Sequence, residues 1–339
     1  MSIKYIDLFA GVGGFHYGIE KVCKTSNDLG NSSNNRRKLL QRIQPSEATC
    51  VYSNEYDKYA NSVYKKHYER CDDRDIRTVK TSEIPDHDLL VGGFPCQAFS
   101  VAGKRRGFED TRGTLFFEIA RIAKQKQPRL LLLENVKGLL SHDSGNTFKT
   151  ILRSLDELGY DCQWQVLNSK DFGVPQNRER VFIIGHLRGT SRPEVFPIRG
   201  SNSKNLKQII AGGQGNRVYT DDGLSTTIAS QAGGQGAKTG LYAIPVLTPD
   251  RAEKRQNGRR FKTNGEHSFT LTGQDIHGVS DGMKIRRLTP IECERLQGFP
   301  DNWTKYGHDD KEMSDTQRYK QLGNAVTTNV VTSIVRKLI

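Results

Sequence analysis

The chain has 339 residues, 35% of them hydrophobic and 26% charged, which is enough for one large domain and a smaller one with an adequate core. No apolar stretch approaches the roughly 20 residues that a membrane span needs, so we expect no membrane segment. The first residues run directly into a predicted strand, so we expect no signal peptide and a cytoplasmic protein. The net charge of +13 leaves two interpretations: a solvated basic surface, or a polyanionic partner, because clustered Lys and Arg side chains release counterions from a phosphate backbone.

Apolar strands alternate with amphipathic helices in the first half of the chain. The predicted strands cover 3–9, 49–53, 88–93, 129–135, 162–168 and 180–187, and the predicted helices cover 14–23, 56–68, 115–126 and 148–158. Because each strand is a nearly continuous apolar run, the pattern predicts an α/β fold with a mainly parallel sheet and helices on both faces. A polar segment at 25–46, rich in Asn and Ser, is predicted as a surface insert with a short helix near 38–43.

The composition changes after Leu187. Residues 188–284 are rich in Gly, Gln, Asn, Thr and Arg, which indicates a second domain of short strands and loops, and helical patterns return from Ile285 onward. The sequence therefore divides into segments 1–187, 188–284 and 285–339.

A weak internal repeat lies in the second segment. Five residues recur 43 positions later: Arg217, Ser225, Thr227, Ile228 and Gln231 are matched by Arg260, Ser268, Thr270, Leu271 and Gln274. Chance remains an alternative for so short a pattern. A real repeat would give two similar strand-loop units that present Arg, Thr and Gln outward, and such side chains suit phosphates and base edges.

The first strand leads into a glycine-rich turn, in the stretch DLFAGVGGF, with glycines at 11, 13 and 14. Such a turn lets a ligand approach the backbone and the N-terminus of the next helix. The second strand ends at Asn54-Glu55, where a carboxylate is the expected partner of ribose hydroxyls, and Asp75-Ile76 offers an acceptor and an apolar wall for adenine. Together these residues indicate a cofactor that contains adenosine; an ordinary surface Glu55 is the alternative.

Cys96 follows the strand at 88–93, within VGGFPCQAFS, where parallel sheets bind ligands. The six cysteines of the chain show no C-x-x-C spacing, which argues against a zinc site or a disulfide framework and for a reducing compartment. Nearby cationic groups and backbone amides favour a thiolate at Cys96, and an inert buried thiol is the alternative.

Two further strand boundaries carry polar groups that suit catalysis. Glu134 follows four leucines at the same predicted sheet edge as Cys96, and desolvation there would raise its pKa and favour a general acid. The run Gln176–Arg180 precedes the strand VFIIG, and one of its arginines would hold a carbonyl oxygen of the substrate or orient Glu134.

Six motifs in order, DLFAGVGGF, GGFPCQAFS, LLENVKGL, QNRERVFIIG, RRLTPIECERLQGFP and LGNAV, resemble those of the DNA (cytosine-5)-methyltransferases over almost the whole chain. The resemblance is strongest to the compact bacterial enzymes of restriction-modification systems. It implies a Rossmann-like catalytic domain at 1–187 that binds S-adenosylmethionine, a target-recognition domain at 188–284, and a C-terminal segment at 285–339 that returns to the catalytic domain, with a DNA cleft between the two domains.

The resemblance also assigns roles to individual residues. Cys96 is implied as the nucleophile that attacks cytosine C6, and Glu134 as the contact to N3 and the exocyclic amine. Arg178 and Arg180 match the motif arginines near the base and the catalytic Glu. The implied cofactor contacts are Phe9, Gly11, Gly13, Glu55, Tyr56, Asp75, Ile76, Pro95 and Asn324. The expected DNA contacts are Gln97, Ser100, Lys104, Arg105 and Arg106 in a loop that closes over a flipped-out base, and Gln214, Arg217 and Thr227 in the recognition domain.

The expected partner is double-stranded DNA. A cognate restriction endonuclease fits the resemblance without a stable complex, and the compact members of the family suggest a monomer. Three departures stand out: the insert at 25–46, Ala325 where some members carry Ser, and an extension at 243–284 that prevents transfer of a target sequence. A transfer-RNA cytosine methyltransferase and an inactive DNA-binding paralogue remain as alternatives, whereas a nicotinamide oxidoreductase would need neither PCQ, ENV nor QNRER.

Overall fold

The computed structural model of the protein describes residues 2–28, 48–95, 115–200, 208–210, 218–219, 241–242, 244–247, 267–271, 277–280 and 285–339. Six strands form one sheet in the order β2-β1-β3-β4-β6-β5. Their bounds are β1 Ile3–Leu8, β2 Ala48–Asn54, β3 Leu89–Gly93, β4 Leu130–Val136, β5 Tyr160–Asn168 and β6 Glu179–Leu187. Only β6 runs against its two neighbours, β4 and β5, so the prediction of a mainly parallel sheet is confirmed.

Helices cover both faces of this sheet, as predicted. The helices are α1 Gly14–Asp28, α2 Lys58–Tyr68, α3 Leu115–Lys126, α4 Asn146–Glu157, α5 Pro290–Leu296, α6 Asp315–Asn324 and α7 Thr328–Leu338. Along β4, Leu131 and Leu133 pack in the core that α3 and α4 cover, whereas Leu130 and Leu132 pack in the core that α1 and α7 cover. Because successive side chains point to opposite faces, burial of both faces requires the continuous leucine run.

The element boundaries lie close to the predicted ones, and a capping residue explains the shifted start of one helix. Helix α2 begins at Lys58, two residues after the predicted start, because the Asp57 carboxylate accepts hydrogen bonds from the amides of Tyr59 and Ala60 and so caps the helix. Helix α1 extends to Asp28 instead of ending near Cys23. The helix predicted near 38–43 falls outside the described residues.

The C-terminal helices return to the main sheet. A capping box between Thr289 and Glu292 starts α5. Helix α7 packs on α1, where the Thr332 hydroxyl donates to the carbonyl of Gly18, 2.9 Å away. A Cβ at Gly18 would lie 2.6 Å from Val331, so the glycine allows the close approach of the two helices.

The segment that follows β6 also belongs to the main sheet. The Gln163 side chain on β5 accepts from the amide of Val195, and the Gln165 side chain accepts from the amide of Ile198. Val195 and Ile198 are buried in the core with α1 and α7. Edge strand β5 therefore holds this segment through glutamine side chains, while the division of the chain at 187 and 284 remains a prediction.

Short strands follow in the region predicted to contain them, except that the last strand begins at Ile285, where a return of helical structure is expected from the sequence. β7 Gln208–Ile210, β8 Val218–Tyr219 and β9 Leu241–Tyr242 form one small sheet, and β10 Ile244–Leu247, β11 His277–Ser280 and β12 Ile285–Arg287 form another.

The second unit of the sequence repeat is described only at 267–271, and this stretch packs against the chain at 175–177. The Thr270 hydroxyl donates to the carbonyl of Asn177, and Leu271 is buried. The expectation of an outward Thr270 is therefore wrong, because this stretch lies along residues 175–177 and satisfies their backbone groups. In the described part of the chain, no helix has the length and apolar character that a membrane crossing requires.

Candidate active site

A cavity of about 670 Å³ opens at the carboxyl edge of the parallel strands. Strand β1 pairs with β2 on one side and with β3 on the other. The chain therefore crosses from one side of β1 to the other between β2 and β3. Open α/β sheets bind ligands at such a switch point. The reversed direction of β6 brings the residues at its start, Arg178 and Arg180, to the same edge as the ends of β1 to β4.

The turn between β1 and α1 forms one wall of the cavity. Gly11 has a φ of +56° and lines the cavity, and its amide donates to Glu55 Oε2 at 2.8 Å. Phe9 lines the same wall with a φ of +56°, a conformation that non-glycine residues adopt rarely and that is often found at functional sites.

Gly13 belongs to the same turn but contacts a neighbouring helix. Its φ is +88°, and a Cβ there would lie 2.8 Å from Tyr68 Cε2 on α2. Gly13 is not among the residues that line the cavity. The lack of a side chain at Gly13 therefore lets the turn pack closely against α2, and in this way Gly13 shapes the turn.

Glu55 is the best-fixed acceptor in the cavity. Its Oε2 accepts from Gly11, and its Oε1 accepts from the amide of Asp57 at 2.7 Å. Burial raises the pKa of this carboxyl, while the two backbone hydrogen bonds act in the opposite direction. Each carboxylate oxygen retains acceptor capacity for a ligand hydroxyl.

The neighbouring residues predicted for the adenine end also line the cavity. Asp75 caps the short 3₁₀-helix Ile76–Thr78 and pairs with Arg77 at 2.5 Å. The hydrogen bond from the Arg77 side chain lowers the pKa of Asp75, so this carboxyl is held ionised. Tyr56 is 71% exposed at the rim, which leaves its ring free to stack on a flat ligand.

Helix α6 lines the cavity as well and carries two polar residues there that no motif of the sequence marks. Asn324, predicted from LGNAV, lines the cavity together with Lys320 and Gln321. Lys320 Nζ lies 2.7 Å from Asp57 Oδ2, which ties α6 to the start of α2. Helical spacing could have identified Lys320 and Gln321, because residues three and four positions before Asn324 lie on the same face of the helix.

The acid predicted to act on the substrate is paired with an arginine. Arg180 Nε lies 3.0 Å from Glu134 Oε1, and both side chains are mostly buried. Burial raises the pKa of Glu134, while Arg180 and Arg178 act in the opposite direction. Gly93 is opposite Glu134 in the β3–β4 ladder, and a Cβ there would lie 3.2 Å from Glu134 Oε2, so glycine leaves room for the carboxylate.

Arg178 lines the cavity but ties segments of the backbone together. Its Nη1 donates to the carbonyl of Leu271, and its Nη2 donates to the carbonyls of Gly323 and Ala325. Burial lowers its pKa to about 9. Of the two predicted arginines, only Arg180 pairs with Glu134.

A side chain of β4 holds the backbone just before Cys96. Asn135 Nδ2 donates to the carbonyl of Phe94 at 2.8 Å, and the next residue, Pro95, lines the cavity. Eight of the nine predicted cofactor residues thus line one cavity, all except Gly13. The remaining predicted residues fall outside the described ranges: Cys96, Gln97, Ser100, Lys104, Arg105, Arg106, Gln214, Arg217 and Thr227.

Comparison with known proteins identifies the family. A sequence model of the family described as C-5 cytosine-specific DNA methylase matches residues 3–339. The chain belongs to this family. The C-5 cytosine-specific DNA methylases match the resemblance drawn from the six motifs, so that resemblance is confirmed.

Individual C-5 methylases are similar over nearly their full length. The type II methyltransferase M.HhaI of Haemophilus parahaemolyticus is 34% identical over 368 residues, which cover 97% of this chain and 92% of that protein. M.NgoBI of Neisseria gonorrhoeae is 38% identical over 97% of this chain and 90% of its own. The orphan methyltransferase M.SPRI of Bacillus phage SPR is 32% identical over 100% and 98% of the two chains.

Solved structures confirm the fold. A DNMT2 variant of Spodoptera frugiperda superposes with a TM-score of 0.59 at 18% identity, covering 99% of each chain. A DNA modification methyltransferase encoded within an E. coli prophage gives 0.59 at 20% identity, covering 99% of this chain and 98% of its own. The α/β Rossmann-like fold is therefore shared with these methyltransferases.

Proposed function

We propose that this C-5 cytosine-specific DNA methylase transfers a methyl group from S-adenosylmethionine to C5 of a cytosine in a short duplex sequence. The observation that carries the proposal is the meeting of two groups in one cavity: Glu55 with the β1–α1 turn, and the Glu134–Arg180 pair. The first group suits an adenosine cofactor, and the second suits a polar heterocycle.

The residues present fit S-adenosylmethionine. Glu55 offers acceptors for ribose hydroxyls, Asp75 offers an acceptor for the adenine amine, and Ile76 offers an apolar wall. The open space beside Gly11, where a Cβ would meet nothing within 4 Å, permits close approach to the backbone. Pro95 and Asn324 complete the proposed contacts. When bound, the cofactor supplies an electrophilic methyl group on its sulfonium.

Cys96 is the proposed nucleophile. It follows Pro95 directly, so its Cα is one peptide link, about 3.8 Å, from a residue of the cavity wall. The thiolate forms a bond to cytosine C6, C5 then takes the methyl group, and loss of the C5 proton and of the thiolate restores the ring. Because C6 is stacked inside a duplex, the cytosine must be flipped out, at about a few kcal/mol.

Glu134 is the proposed acid for the ring. Its raised pKa favours the protonated carboxyl, which donates to N3 as electrons enter the ring from the thiolate. Arg180 orients this carboxyl. Arg178 holds the wall of the cavity through three backbone carbonyls, so we assign it a positioning role.

The DNA contacts remain proposals from the sequence. We propose that Gln97, Ser100 and Lys104–Arg106 close over the flipped base, and that Gln214, Arg217 and Thr227 act in target recognition. We propose that the recognition region lies within 188–284, although Val195 and Ile198 at its start also pack on the main sheet. The names of the relatives support either a type II restriction-modification enzyme or an orphan methyltransferase. We propose that the protein acts as a monomer.

The deciding experiment is incubation of the protein with unmethylated genomic DNA and S-adenosylmethionine, followed by bisulfite sequencing. Protected cytosines within one short motif are expected. Cys96→Ser should lose protection and retain DNA binding, while Cys162→Ser on β5 should behave as the native chain. Protection of transfer RNA instead of duplex DNA, or full activity of Cys96→Ser, would refute the proposal.

A further inference from the structure

Trp303 lies in the loop between α5 and α6 and is one of two tryptophans in the chain. Its side chain is buried, and its Nε1 donates to the carbonyl of Val12 at 2.8 Å. Val12 is itself buried and stands between Gly11 and Gly13, which both have positive φ. The indole therefore anchors the middle of the turn that forms one wall of the cavity.

The ring of Trp303 is held in place by other aromatic side chains. It stacks on His67 of α2 with ring centroids 3.6 Å apart and an angle of 7°. His67 Nε2 donates to the carbonyl of Trp303 itself at 2.8 Å, so the same residue fixes both the ring and the backbone. Tyr17 of α1 and Phe299 contact the ring as well, with centroids 4.8 and 5.3 Å away.

The backbone on both sides of Trp303 is fixed by one buried carboxylate. Glu294 on α5 accepts from the amide of Asn302 at 2.7 Å and from the amide of Thr304 at 2.8 Å. Glu294 also pairs with Arg318 of α6 at 3.0 Å. Helix α6 carries Lys320, Gln321 and Asn324 to the cavity, so the loop that holds Trp303 is tied to both walls.

Two hydrogen bonds fix adjacent residues of the turn from opposite sides. Glu55 accepts the amide of Gly11, and Trp303 donates to the carbonyl of Val12. Glu55 lines the cavity, whereas Trp303 does not.

We propose that Trp303 is a positioning residue for the cofactor turn, and that its N–H holds Val12 so that Phe9 and Gly11 present their backbone to S-adenosylmethionine. This inference rests on the proposed binding of the cofactor in this cavity. The substitution Trp303→Phe would preserve the stacked ring and leave the buried carbonyl of Val12 without a donor. We expect it to increase the mobility of the turn more than it lowers the free energy of unfolding.

The test compares Trp303→Phe with Trp164→Phe, a matched control because Trp164 is half exposed on the edge strand β5. The dissociation constant of S-adenosylhomocysteine, the demethylated product, is measured by calorimetry with each full-length chain. We expect a rise of about ten-fold for Trp303→Phe and no change for the control, since tenfold corresponds to one hydrogen bond of ordinary strength. The KM for S-adenosylmethionine should rise similarly while kcat stays unchanged.

An unchanged dissociation constant in Trp303→Phe would overturn this inference and leave the proposed function intact. Failure of the native chain to bind S-adenosylhomocysteine would instead refute the proposed cofactor.

A second measurement needs no variant at Trp303. Hydrogen exchange of the native chain should slow on addition of S-adenosylhomocysteine both in peptides spanning 9–17 and in peptides spanning 299–305, because the turn and the Trp303 loop share a hydrogen bond. Protection confined to 9–17 would contradict the coupling.

Discussion

Arg180 and Glu134 meet side by side, with Nε 3.0 Å from Oε1, although their strands run in opposite directions. In the β4–β6 ladder, Arg180 is opposite Val136 and Glu134 is opposite Phe182, so the two side chains lie diagonally on one face. The antiparallel strand β6 thus supplies the partner of an acid on β4, which runs parallel to β3.

Arg180→Lys should lower kcat by about ten-fold or more, because an ammonium on a flexible stem cannot reproduce the planar contact that orients Glu134. Methyl transfer to duplex DNA at saturating cofactor is the measurement. Arg153→Lys on the exposed face of α4 is the control and should keep the native rate. A native kcat in Arg180→Lys would show that Glu134 needs no orientation.

Glu55→Gln should weaken cofactor binding by about ten-fold, since a single amide oxygen cannot accept from both Gly11 and Asp57 while also binding a ribose hydroxyl. Calorimetric titration with S-adenosylhomocysteine measures the loss. Glu157→Gln, an exposed change on α4, should bind normally. Equal affinity in the two variants would remove Glu55 from the cofactor site.

Asp7→Asn should make the protein more stable at neutral pH. Asp7 is fully buried in β1, and neither of its carboxylate oxygens has a hydrogen-bond partner of normal geometry. Burial raises its pKa well above the ordinary range, and the nearby Glu55 adds to the rise. The folded protein therefore keeps this proton at pH values where the unfolded chain, with a pKa of about 3.9, has lost it.

The sign of the pH dependence follows from this linkage. The contribution of Asp7 to stability is full below about pH 4 and falls as pH rises toward the folded pKa, by up to about 1.4 kcal/mol per pH unit. Urea unfolding at pH 4.5, 5.5 and 6.5 should show the advantage of Asp7→Asn growing with pH. Asp86→Asn, an exposed partner of Lys126, should show no such growth. A pH-independent difference for Asp7→Asn would contradict the assignment.

Gly18→Ala should destabilise the fold by about 1–3 kcal/mol, because the new methyl group would overlap Val331 and force α1 away from α7. This loss outweighs the gain in helix propensity of about 1 kcal/mol. Gly138→Ala is the control, since a Cβ there would meet nothing nearer than 4.0 Å. Denaturant titration compares the two, and equal midpoints would mean that the helices adapt without loss.

The strands and most helices could be predicted from the sequence because their burial is simple. A strand covered on both faces must be apolar where it is buried, and β4 begins with four buried leucines. The cavity residues Glu55 and Glu134 were predictable for a related reason, since Glu55 is the first acid after β2 and Glu134 is the first acid of β4.

Contacts that depend on distant segments were not predictable. Lys320 and Asp57 are 263 positions apart, and no local pattern links them. Arg178 binds backbone carbonyls, which every residue offers, so its partners leave no trace in the sequence. The resemblance implies a place for Gly13 in the cofactor turn, but no local pattern shows that Tyr68 of α2 leaves no room for a side chain at that position.

The packing of α7 on α1 joins a helix that is synthesised early to one that is synthesised much later. Phe15 and Ile19 of α1 share a core with Val331 and Ile334 of α7, and roughly 300 residues separate the two helices, which makes this a contact of very high sequence separation. While the chain grows on the ribosome, the apolar face of α1 stays without that cover until α7 has been made. We expect methyl transfer to start only after α7 emerges, so partly made chains would leave DNA unmarked.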